Sequence, residues 1–167
     1  GDVDAFAVRN MANKYFGKIR PKKIVPVKPQ LEPEQLGPKR VAVSAPAENP
    51  MVVLAYKVPA LRDVEKDDDV YALDVLASVL DGYDNARLPA SLVRKERIAL
   101  SVGTDYSALS RGPALFVLQG IPAKGVTVDE LEKRLRHEVA SIAKHGITME
   151  ELQRVKMQLI SSQIYKR

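Results

Sequence analysis

The sequence predicts an α+β domain, with a mixed or antiparallel sheet and about five helices packed on one face. Apolar residues recur at helical spacing in five stretches and alternate at strand spacing in four. The order runs helix, two strands, two helices, two strands, two helices. Strands in pairs, separated by helices in pairs, argue against a parallel doubly wound sheet, in which single strands and single helices alternate.

The first helix starts at Asp4, whose carboxylate suits an N-cap, and repeats Val8, Met11, Ala12, Tyr15 and Phe16 before Gly17 ends it as a C′ glycine. Residues 18–38, "KIRPKKIVPVKPQLEPEQLGP", are proline-rich without helical period and predict an extended surface connector. Strands follow at 40–45 ("RVAVSA") and 51–60 ("MVVLAYKVPA"), joined by "PAENP". Asp67 or Asp68 caps a helix carrying Val70, Leu73, Leu76, Ala77 and Leu80 on one side, stopped near Gly82. After "GYDNARL" comes a short basic helix, "LPASLVRKER", in which Pro89 is tolerable only in the first turn. Strands at 98–106 and 114–123 flank a "SRGP" turn. Two capping boxes, Thr127 with Glu130 and Thr148 with Glu151, open the closing helices. The first buries Val128, Leu131, Leu135, Val139 and Ile142 and ends at Gly146; the second buries Leu152, Val155 and Leu159, with Ile160 alongside.

The 167 residues fit a single domain over 1–167, and a chain of that length buries about 70% of its unfolded surface. With 46% hydrophobic and 28% charged residues, a core is within reach and a low-complexity or membrane protein is not expected. No apolar run approaches the roughly 20 residues that span a bilayer, and no signal-peptide pattern opens the chain. It begins on "GDVD" and closes on "SSQIYKR" in mid-helical pattern, so it reads as a fragment of a larger chain. There is no cysteine, which excludes disulfides, cysteine nucleophiles and thiolate zinc sites. The net charge of +5 raises nucleic-acid binding. Only 5% of residues are aromatic, the basic residues are dispersed, and the densest cluster, "KIRPKK", lies in the connector, so a solvated surface is expected instead.

The search for chemistry finds gaps. His137-Glu138 invites comparison with HExxH and HxxEH, but position 141 is Ser and His145 lies two helical turns on, so the two rings do not share a metal. His145 suits a cation at a helix C-terminus. Asp67-Asp68-Asp69 and Glu150-Glu151 sit at helix starts, where capping and the helix dipole account for them. Ser44, Ser101 and Ser107 lack a GxSxG or phosphate-loop setting. No catalytic, metal-ligating or substrate-binding residue is assigned.

The frame nevertheless resembles a known family. "GDVD" with "KYFGKI", then "YALDVLASVLDGYDNARLPASLVRKERIALSVGTDY", "VTVDELEKRL" and "HGITMEELQRVKMQLISS" are similar in order and spacing to the second domain of insulinase, pitrilysin and mitochondrial processing peptidase-type zinc peptidases. The second of these stretches looks like that family's helix, glycine-rich turn, "SRL" helix and "REKxGLAYSV" strand. The resemblance implies a clamshell of two halves around a chamber, with HxxEH and a later glutamate holding zinc in the first domain of the catalytic half. It also implies an Arg and a Tyr, seven residues apart, that reach substrate from the matching domain of the other half. Here those positions fall on Val93 and Leu100, and the "GG" turn is altered to Gly82-Tyr83-Asp84.

A guanidinium fork and a phenol hydrogen-bond a peptide carbonyl; valine and leucine do not. The resemblance therefore implies a structural, chamber-forming domain of a bacterial zinc metalloendopeptidase, without cofactor in this fragment and with zinc in the parent. Its implied partners are the zinc-bearing domain, the second half of the enzyme and a peptide substrate, with neither nucleic acid nor a membrane span, in a periplasmic setting. A degenerate scaffold subunit is the alternative, distinguished by the absence of HxxEH upstream. A basic nucleic-acid-binding module is the weaker one.

Overall fold

The computed structural model describes residues 2–28, 33–110 and 112–165. The chain divides into two compact units, Gly1–Ser44 and Ala45–Arg167.

In the first unit, α1 (Ala5–Phe16) forms where the sequence predicts it. Asp4 stays extended, and its carboxylate accepts the N–H groups of Phe6 at 2.7 Å and Ala7 at 3.2 Å, satisfying donors that the first turn leaves free. Gly17 follows the last turn and donates its N–H to the Asn13 carbonyl, but its φ of −62° is right-handed, not the left-handed C′ glycine expected. α1 buries none of its residues. The strand expected at 40–45 does not form: its backbone carries no ladder, and Val41 and Val43 are 81% and 83% exposed. Alternation fits a segment to a pleated surface, but a strand also needs a neighbouring edge to pair with.

The second unit runs β1 (Val52–Val58), α2 (Asp68–Asp81), a π-helix π1 (Pro89–Lys95), β2 (Ala99–Tyr106), β3 (Ala114–Pro122), α3 (Val128–His145) and α4 (Met149–Tyr165). The sheet has order β1-β3-β2, with both pairs antiparallel. Its register puts Leu54 opposite Leu118 and Tyr56 opposite Phe116, and burial alternates along β3. Successive side chains of a strand point to opposite faces, so one face of this sheet is packed and the other open. The packed face carries Val52, Leu54, Phe116 and Leu118, which join Leu80 of α2, Leu92 of π1, and Leu131 and Leu135 of α3 in one core. Each fully buried leucine contributes about 1.5–3 kcal/mol. The "SRGP" turn includes Arg111, which lies outside the described residues.

Several local expectations are corrected. Asp67 precedes α2 but does not cap it: its carboxylate turns back to the N–H groups of Arg62 (2.6 Å) and Asp63 (2.8 Å). Those two bonds hold its carboxyl below the usual value. The basic helix is π1, shorter than predicted and wider than an α-helix, with the Glu96 N–H reaching back five residues to the Ser91 carbonyl at 2.8 Å. Pro89 does sit in its first turn.

The capping box at Thr127 is complete. Only half of the one at Thr148 forms: the Glu151 N–H donates to Thr148 Oγ1 at 3.1 Å, but the Glu151 carboxylate is drawn away to Arg87. Gly146 is the left-handed residue that ends α3, at φ 71°. Val155 is fully buried as predicted, whereas Ile160 is 57% exposed.

Candidate functional site

The helix-to-strand frame from π1 into β2 is the place where the sequence points to chemistry. Two core residues anchor it, Leu92, the buried residue in the middle of π1, and Ala99 at the start of β2. Between them the chain reverses in a few residues, and Arg97 adopts φ 55° to do it. Left-handed backbone is costly for any residue with a Cβ; the motif "REKxGLAYSV" has glycine at the matching place.

β2 then begins with an irregularity. Ala99 faces Pro122 and Ser101 faces Ile121, so Leu100 is an extra residue in the ladder, and it is 56% exposed. Such a bulge bends a strand and re-aims the side chain it carries. Val93 is half-buried and lines an open cleft of about 320 Å³ with Asp81, Tyr83, Asp84, Pro89 and Arg94. The structure thus brings positions 93 and 100 into one helix-to-strand frame, with an aliphatic side chain at each.

Asp81 and Arg94 of this cleft are used for structure. The Asp81 carboxylate accepts the Thr104 N–H at 3.1 Å, and Thr104 Oγ1 donates to the Ala77 carbonyl at 3.2 Å. Together they fasten the end of α2 to an edge strand. Burial pushes the Asp81 carboxyl above its ordinary value, against the pull of the Thr104 N–H. Arg94 donates to the Asp84 carbonyl and so closes the altered turn.

Sequence reasoning missed two ion-paired clamps that hold π1. Arg87 grips Glu151 through Nε and a terminal nitrogen, both at 2.7 Å, and the second nitrogen also reaches the Gly146 carbonyl at 3.3 Å. Glu96 pairs with Arg134, which lies 3.7 Å from Glu138, while the Ser91 hydroxyl is 3.1 Å from Glu96 and 3.0 Å from Glu138. The guanidinium groups hold the Glu151 and Glu96 carboxyls below their usual values. Partners 64 residues apart in sequence leave no local trace, and the capping role of Glu151 concealed its longer reach. The spacing of Arg134 and Glu138 on one helix face was the legible hint.

The histidines stay apart from all of this. His137 is exposed on α3, and His145, also exposed, has Nδ1 at 3.2 Å from the Ser141 carbonyl. Among the described residues no group of three or more His, Cys, Asp or Glu could hold a metal ion, so the residues present do not fit a zinc centre. A second groove, of about 430 Å³ between α2 and the α3–α4 link, is lined by Tyr71, Val75, Ile142 and Ile147 among others. Apolar side chains there offer packing and no acid–base chemistry. No helix of the described residues is long and apolar enough to cross a membrane.

The fold matches "The crystal structure of a protease from Helicobacter pylori" with a TM-score of 0.86 at 26% sequence identity. The match covers 99% of this chain and 39% of that one, so the chain spans well under half the length of that protease. No curated protein matches it. Residues 1–159 match the family described as the peptidase M16 inactive domain, and the chain belongs to that family.

Proposed function

We propose that this chain is a wall-forming, non-catalytic domain of one half of a zinc metalloendopeptidase. Its open sheet face and its helix-to-strand frame border the chamber, and the zinc site, the remaining domain of this half and the second half lie outside these residues. The observation that supports this most is the frame itself: a strained turn and a bulge that present Leu100 outward, and a half-buried Val93 at the cleft, in place of groups that hydrogen-bond substrate. Membership of an inactive-domain family and likeness to a protease agree with it. The periplasmic setting belongs to the same proposal and rests on resemblance alone; export of a reporter fused to the full-length protein tests it.

The intact protein should bind zinc and cleave unstructured peptides in a chelator-sensitive way. Val93→Ala in that protein should keep both zinc content and cleavage. If Val93→Ala abolishes cleavage in folded, zinc-loaded protein, the wall reading is wrong. If the intact protein neither binds zinc nor cleaves, a scaffold subunit replaces the peptidase.

A further inference from the structure

The backbone of π1 stands between two possible acceptors. The Glu96 N–H donates to the Ser91 carbonyl at 2.8 Å, and the Leu92 carbonyl is taken by the Ile98 N–H at 3.0 Å. An α-helix would send the Glu96 N–H to Leu92 instead, four residues back. One turn earlier the chain still keeps that α spacing, with the Ala90 N–H on the Ala86 carbonyl at 3.0 Å. Wide registers are rare, and Ala90, Leu92, Arg94 and Lys95 are all good α-helix formers. The register of π1 therefore has a cause outside its own sequence. Ser91 and Glu96 show what it is. On an α-helix, residues five apart point about 140° away from one another. In π1 these two meet, with Ser91 Oγ 3.1 Å from Glu96 Oε1. α3 grips both: Arg134 Nε donates to Glu96 Oε2 at 2.9 Å, and Glu138 Oε1 lies 3.0 Å from Ser91 Oγ.

We propose that π1 is a two-register element, held wide by this grip, through which α3 sets the shape of the cleft at Val93 and Arg94. Opening the grip moves the Glu96 N–H from the Ser91 carbonyl to the Leu92 carbonyl and releases the Ile98 N–H. The two registers thus differ in one contested acceptor, and contacts at α3 and at the cleft bias the same equilibrium. The narrow register turns residues 93–95 about the helix axis. That moves Val93 in the cleft wall and pulls Arg94 from the Asp84 carbonyl, where it closes the turn. The device belongs to the fold and is independent of the peptidase reading.

The test is nuclear magnetic resonance of this chain, reading scalar couplings through hydrogen bonds, which name the carbonyl that each amide uses. The parent should couple the Glu96 amide to Ser91. Glu96→Ala with Arg134→Met opens the grip without stranding either charge of the pair, and the coupling of residue 96 should move to Leu92. Exchange of the Ile98 amide should rise by about tenfold or more. Leu118, paired on both sides at the sheet centre, should keep its rate. Deleting the exposed Lys95 is the second variant. It leaves Ser91 and Glu96 four residues apart, so an α register and the grip on α3 become compatible. The shortened chain should fold, and its coupling from residue 96 to Ser91 should persist when the grip is opened. Three results would each overturn the proposal. One is a coupling to Ser91 that survives the opened grip in the parent length. Another is Leu118 exchange that rises with Ile98, which marks general loosening. The third is a Lys95 deletion that does not fold, which would show that the flanking anchors demand the wide register.

Discussion

Replacing Arg97 by glycine should make the domain more stable. Arg97 is the non-glycine residue with positive φ among those described, at 55°, and its side chain is exposed. An L-residue in the left-handed region costs about 1–2 kcal/mol because its Cβ crowds the following carbonyl. Glycine removes that crowding but loses about 0.4–1 kcal/mol through the greater freedom of its unfolded chain. The difference leaves a gain of about 0.5–1 kcal/mol. With a urea dependence of about 2 kcal/mol per molar, the unfolding midpoint should rise by about 0.3–0.5 M. Far-UV circular dichroism is the suitable probe, since the chain has no Trp. Arg97→Ala is the control: it keeps the strained backbone and removes only the exposed side chain, so its stability should stay within about 0.5 kcal/mol of the parent. A glycine variant no more stable than the parent would refute the strain argument. An alanine variant that matches glycine would move the effect to the side chain.

Breaking the Arg87–Glu151 clamp should be costly. The two side chains are only 25% and 15% exposed, so Arg87→Ala strands a carboxylate and should destabilise by about 2–3 kcal/mol in urea titration, with Arg87→Lys recovering only part because it loses the fork. The same clamps set the acid limb of stability. The folded carboxyls of Glu151 and Glu96 lie below their ordinary 4.5, so their contribution is present above about that pH and is lost as pH falls through the folded values. Asp81 acts in the opposite sense: its carboxyl lies above 3.8, so protonation there favours the folded state as pH falls. Glu151→Gln should therefore flatten the decline of the unfolding midpoint below about pH 4.5, and an unchanged slope would show that the pair is not linked to folding.

The parts of the fold legible in the sequence are those fixed by local periodicity. The Leu131–Leu135 stripe on α3, the Thr127 box and the alternation of β3 each report a burial pattern that neighbouring residues reveal by themselves. What escaped depends on distant partners. The 40–45 segment has strand alternation but forms no ladder among the described residues, and Glu151 left its box for an arginine far away in sequence. The π-geometry of residues 89–95 was also hidden, since nothing in "PASLVRK" distinguishes a bond reaching back five residues from one reaching back four. At the candidate site, spacing and resemblance located positions 93 and 100, but not the left-handed turn between them or the bulge that carries Leu100.

Those features explain why a frame persists without polar groups at positions 93 and 100, and they lead to a last prediction. Leu92 and Ala99 immediately precede positions 93 and 100, and both are core residues, 0% and 4% exposed. Packing therefore fixes the path from π1 to β2, and residues 93 and 100 are carried into place whatever their side chains. If so, Val93→Arg with Leu100→Tyr should fold on the same core. At position 100 a phenol replaces a side chain that is already 56% exposed. At position 93 the arginine stem can cover the apolar floor while its head reaches the open cleft beside Asp81 and Asp84. Stability should then stay within about 1–2 kcal/mol of the parent, since the arginine stem replaces most of the packing that the half-buried Val93 makes on the core and its charge stays at the open cleft. Hydrogen exchange at Leu92 and Ala99 should be unaltered. Destabilisation beyond about 3 kcal/mol, of the size that follows an overpacked core or an uncompensated buried charge, would show that the aliphatic pair is itself a structural requirement and that the frame is not separable from the residues it presents.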